Sequence, residues 1–78
     1  MTEFDNLKRS YAVTIQIALA TNAGYQNTKI ANDGIHEFCK VFVENGNYQE
    51  YEKATMKQEL ELLKRSLEKE IELHYQDR

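Results

Sequence analysis

The stretch YAVTIQIAL, Tyr11 to Leu19, decides the fold, because it can be read with two periods. With a period of two, Tyr11, Val13, Ile15, Ile17 and Leu19 share one face and Ala12, Thr14, Gln16 and Ala18 the other; the β-branched residues suit a strand. With the period of a helix, Phe4, Leu7, Tyr11, Ile15, Ala18 and Leu19 form a single stripe, which starts before the alternation does. A strand would also need a partner. The one candidate downstream is the weakly apolar NTKIA (Asn27–Ala31), reached across TNAGYQ, and an isolated hairpin is marginal in water. The helical reading is preferred, with an end near Asn22 and Gly24 as breaker. The strand alternative for residues 11–19 would make the protein α+β.

Moving toward the C-terminus, DGIHEFCKVFVENG (Asp33–Gly46) places Ile35, Phe38, Cys39 and Phe42 on one helical face, which Val41 widens. Ile30, Ala31 and Gly34 extend that stripe upstream. A helix capped by Asn27 or Thr28 is therefore preferred over a short one capped by Asp33, although an internal glycine costs it about 1 kcal/mol. Asn45-Gly46 is the expected stop, since both residues tolerate a left-handed backbone.

The last segment, ending in KQELELLKRSLEKEIELHYQDR (Lys57–Arg78), is the plainest helix. Asn47 followed three residues later by Glu50 has the spacing of a capping box. Met56, Leu60, Leu63, Leu67, Ile71 and Tyr75 then recur at helical spacing, and pairs such as Glu61 with Arg65 support the solvated face. The fold class expected is all-α, a helical hairpin plus one further helix, spanning about 4–22, 28–44 and 48–75 in a single small domain, 1–78.

A helix over 48–75 would be a rod of roughly 42 Å, whereas a compact chain of this length is about 30 Å across. Its last turns should project, yet Leu67, Ile71 and Tyr75 carry the apolar stripe into them. The expectation is an oligomer interface built from Met56, Leu60, Leu63, Leu67 and Ile71. The competing arrangement lays the first helix along the far half of the rod and the second along the near half.

Size and composition narrow the function. A chain of 78 residues buries only about 60% of its unfolded surface, so its core is marginal. Cys39 is the only cysteine and there is no apolar run long enough for a membrane span. The acidic start MTEFDNLKRS lacks the basic region of a signal peptide, so the cytoplasm is the expected location. A net charge of −3 with interleaved signs argues against nucleic acid as a partner. Asn, Lys, Ile, Tyr and Phe make up 26 of the 78 residues, the lean of AT-rich codons, which suggests a low-GC bacterium or its phage or plasmid.

No catalytic constellation, cofactor motif or metal set is expected. His36 and Cys39 have the i,i+3 spacing of two ligands on one helical turn, but zinc needs three or four, and the only other histidine is His74. The simpler reading puts Cys39 on the buried face and His36 at its margin. The three glycines are too scattered to cradle a phosphate. Tyrosines are favoured at interfaces, and Phe42, Tyr48 and Tyr51 are candidates for a partner contact. The function expected is that of a non-enzymatic, oligomeric binding protein, an accessory regulator or inhibitor that occupies a site on another macromolecule, with itself and a protein as partners. The alternative is a small-ligand binder, holding a nucleotide or metabolite between subunits through Tyr11, Tyr25 and Lys29.

Overall fold

The computed structural model describes residues 2–76 and consists of three helices: α1 (Glu3–Ala20), α2 (Tyr25–Glu44) and α3 (Glu50–Tyr75). Residues 11–19 are helical. Burial shows why the helical period wins: Phe4, Tyr11, Ile15 and Leu19 are buried, while Val13 and Ile17, which a strand would have put on their side, are 48% and 56% exposed.

The helix ends depart from the sequence expectation in ways that local hydrogen bonding explains. Thr2 caps α1, its hydroxyl accepting from the Asp5 N–H at 3.1 Å. At the other end Asn22 adopts φ 58°, and the Ala23 and Asn22 N–H groups reach back to the carbonyls of Ala18 and Leu19. This is a Schellman ending with asparagine in the left-handed position, and it stops α1 at Ala20. Gly24, at φ 104°, then starts α2 three residues earlier than expected. Thr28 is not a cap: its hydroxyl donates to the Gly24 carbonyl at 2.7 Å from inside the first turn. Asn45 keeps a right-handed backbone, contrary to expectation. Gly46 makes room for the Tyr48 ring, which a Cβ there would have to displace. The third helix begins at Glu50, not Tyr48; Gln49 is its cap, with its N–H donating to Glu52 Oε1 at 3.0 Å.

The helices run up, down and up. Lys8 with Glu59 (2.8 Å) and Gln16 with Glu70 (3.1 Å) align α1 parallel to α3. Lys29 with Glu72 (3.7 Å), Asp33 with Lys64 (3.4 Å) and Glu44 with Lys57 (2.5 Å) set α2 antiparallel along the length of α3. The bundle measures 44 × 18 × 17 Å. Its long dimension corresponds to α3, about 39 Å for 26 residues. The last turns of α3 are not left uncovered: Leu67 and Ile71 are buried, and the Tyr75 hydroxyl accepts the Gly24 N–H at 3.1 Å. The proposed seam is thus inside the subunit. Leu60, Leu67 and Ile71 belong to the chain's own core and Met56 and Leu63 pack against it, because α1 and α2 together are long enough to cover the rod.

Candidate protein interface

Helix α2 packs with a face the sequence reading did not choose. Its buried residues are Thr28, Asn32, His36, Cys39 and Val43, at steps of four, four, three and four. Cys39 is buried as expected and Ile35 is partly covered, but Phe38, Ile30 and Val41 are 64%, 66% and 55% exposed. His36 lies in the core, not at its margin.

Polar groups on that inner face are held by specific partners. The Tyr11 hydroxyl donates to Asn32 Oδ1, and Asn32 Nδ2 donates to the Lys64 carbonyl at 3.3 Å, so one asparagine ties all three helices together. Both side chains are buried, and burial pushes the Tyr11 phenol well up from its ordinary pKa. His36 is less well served. Its Nε2 has no hydrogen-bond partner, and Glu61 Oε2 lies 3.3 Å away on α3. Burial lowers the His36 pKa, against the opposing pull of Glu61 and with Lys64 and Lys40 adding to the lowering. Burial likewise raises the Cys39 thiol, the opposite of what an activated nucleophile needs.

With its polar residues inside, α2 presents its apolar ones outside. Phe38 stands between two shallow depressions. One, of about 240 Å³, lies between α1 and α2 against Leu7, Ser10, Thr14 and Ile35. The other, of about 520 Å³, lies at the end of the bundle against Val41, Phe42 and Tyr48. On α1, Val13 and Ile17 are also exposed, and residues 10–28 contain no charged side chain. The interleaved acids and bases sit mostly on α3. The middle of the outer side made by α1 and α2 is therefore apolar, with Glu3, Glu37 and Lys40 near its edges, and the charges are densest on α3. Burying such a face against protein is favourable at about 25 cal/mol per Å² of apolar area.

The other candidates separate on the structure. Phe42 and Tyr48 do meet, at the end depression, while Tyr51 is 74% exposed on α3 and does not line it. Tyr25 and Lys29 are brought together, with the ammonium 5.2 Å from the ring centroid, but Tyr11 is in the core and cannot join them. Tyr25 also donates its hydroxyl to Glu72 at 2.5 Å and stacks edge-on against Tyr75, so the group closes one end of the bundle. Among the described residues no group of three or more His, Cys, Asp or Glu side chains is placed to hold a metal ion, and no helix is long and apolar enough to cross a membrane. Compared with family models, curated proteins and solved structures, the chain shows no match in any of the three.

The sequence reading missed the outer face because it counted apolar residues on α2 and followed the more numerous set. A signal was available in Thr28, Asn32 and His36, polar residues at i, i+4 and i+8 that continue into Cys39 and Val43. Where two stripes compete on one helix, the more apolar one need not be the one that faces the core.

Proposed function

We propose that this chain is a non-enzymatic binding protein that works by setting the α1/α2 face against another polypeptide. The observation that carries the reading is the orientation of α2, which gives Thr28, Asn32 and His36 to the core and leaves Ile30, Phe38 and Val41 outside. Leaving large apolar side chains in water while burying polar ones is unfavourable for an isolated chain, and becomes favourable when a partner covers the outer side. An accessory regulator or inhibitor, cytoplasmic and carried by a phage or other mobile element, is the form that fits a chain of this size and composition.

The test is a comparison of Phe38→Asp with the parent chain. The variant should keep its helical circular dichroism and melting temperature and lose capture of polypeptide partners. Retained capture by a folded variant contradicts the reading.

The small-ligand reading is favoured only by the open depression of about 730 Å³ beside Tyr25, Glu72, Tyr75 and Gln76. A thermal-shift screen with nucleotides and metabolites tests it. Stabilisation by several degrees that Tyr25→Ala abolishes would support it, and no shift would remove it.

A further inference from the structure

Resting on that reading, we infer that the chain covering the α1/α2 face is a second copy of this protein, paired about a two-fold axis that crosses α2 near Gly34. Three features of the face suit it to itself. First, it is short of charge where it matters. Ile30, Gly34, Phe38 and Val41 are uncharged, and the exposed Glu37 among them is paired with Lys40 of its own helix at 3.6 Å and would lie opposite Ala31 of the other copy, so the pairing places no like charges directly opposite one another. The other acids of α2 pair with α3: Asp33 with Lys64 at 3.4 Å and Glu44 with Lys57 at 2.5 Å. Depletion of charge and a high apolar content are the composition of a homodimer interface more than of a transient one.

Second, the stripe is close to symmetric about its centre. Gly34 lies at the middle of Tyr25–Glu44, with Ile30 one turn before it and Phe38 one turn after. A two-fold axis at Gly34 places Ile30 of each copy opposite Phe38 of the other, the self-complementary pattern of an isologous contact. A Cβ built on Gly34 would meet nothing within 4 Å, so no packing within the subunit calls for glycine in this exposed helix interior. An alanine there would favour the helix by about 1 kcal/mol. Two helices crossing at glycine can approach closely, which gives the residue a purpose.

Third, the area reaches the lower end of the standard range for a specific interface. Two helices each about 10 Å wide, lying side by side over about 30 Å, present on the order of 600 Å², near the roughly 800 Å² per partner of a stable standard-sized interface. The free subunit exposes 5333 Å², against about 4900 Å² expected for a monomer of its mass.

Sedimentation equilibrium on the full chain, from low to high micromolar, tests the inference. The parent should approach twice its 9.2 kDa, about 18 kDa, at the upper end. Phe38→Asp should remain a monomer with an unchanged melting temperature measured at low concentration. Gly34→Ala separates the roles: it should stabilise the monomer and weaken pairing at least several-fold, whereas a purely intramolecular glycine would give the first effect without the second. Leu62→Asp, exposed on α3, should pair like the parent. A parent that stays monomeric throughout, or a Phe38→Asp variant that keeps the doubled mass, overturns the two-fold pairing. In the first case, loss of partner capture by Phe38→Asp would still uphold the binding face with a different occupant, and unchanged capture would remove both.

Discussion

At the scale of single residues, stability is concentrated in a few polar groups that α2 carries into the core. Asn32 has a partner on each side, and its replacement by alanine removes both side-chain bonds and leaves the Tyr11 hydroxyl only the backbone carbonyl of residue 32 at 3.2 Å, a loss of about 1–3 kcal/mol for the two bonds together. His36 behaves differently because its ring is buried without a hydrogen bond at Nε2. Its folded pKa lies below the ordinary value of 6.5, so the unfolded chain binds the proton more readily. The contribution of neutral His36 is therefore fully present above pH 6.5 and declines as pH falls below it toward the lowered folded pKa. Glu61 and Lys64 on α3, with Glu37 and Lys40 on α2, are the charges that face it. Urea midpoints at pH 7.5 and 5.5 should show the parent weaker at the lower pH and His36→Leu less dependent on pH in that interval; a parent unchanged between the two would contradict this account of His36.

At the scale of elements, the ends of the helices are set by individual hydrogen bonds and the faces by competition between stripes. Asn22 holds a left-handed backbone at φ 58°, which a β-branched residue adopts only with strain. Asn22→Val should lower stability by about 1–2 kcal/mol, whereas Asn22→Gly should be close to neutral, both read from thermal unfolding. The existence and order of all three helices were legible in the sequence, since Phe4, Leu7, Tyr11, Ile15 and Leu19 keep one helical stripe, and Leu60, Leu67 and Ile71 another. The start of α2 was not, because Gly24 as a cap depends on a backbone angle that no side chain signals. The inner face of α2 was misread for a physical reason. A helix that serves both a core and an outer surface carries two patterns, and the more apolar of them, through Phe38, was the outer one.

At the scale of the whole molecule, the subunit is a narrow bundle whose core is thin. Among the described residues nine apolar ones form it, α2 supplies only Cys39 and Val43 of them, and eight large hydrophobic side chains remain exposed. A core of this kind responds sharply to truncation where α3 is covered by both other helices. Leu67→Ala should cost about 2–5 kcal/mol, and Leu62→Asp, on the solvated side of α3, well under 1 kcal/mol. Equal losses would mean that α3 packs with another face. The orientation of α2 is the claim on which the binding face and the two-fold pairing both rest. It is tested most directly by urea unfolding of Asn32→Ala and Phe38→Ala at a concentration where the parent sediments as a monomer. The inside-out α2 predicts a loss of about 1–3 kcal/mol for Asn32→Ala and less than about 1 kcal/mol for Phe38→Ala. The reverse order, with Phe38→Ala losing about 3 kcal/mol or more and Asn32→Ala nearly nothing, would show that Phe38 faces the core and would contradict the account.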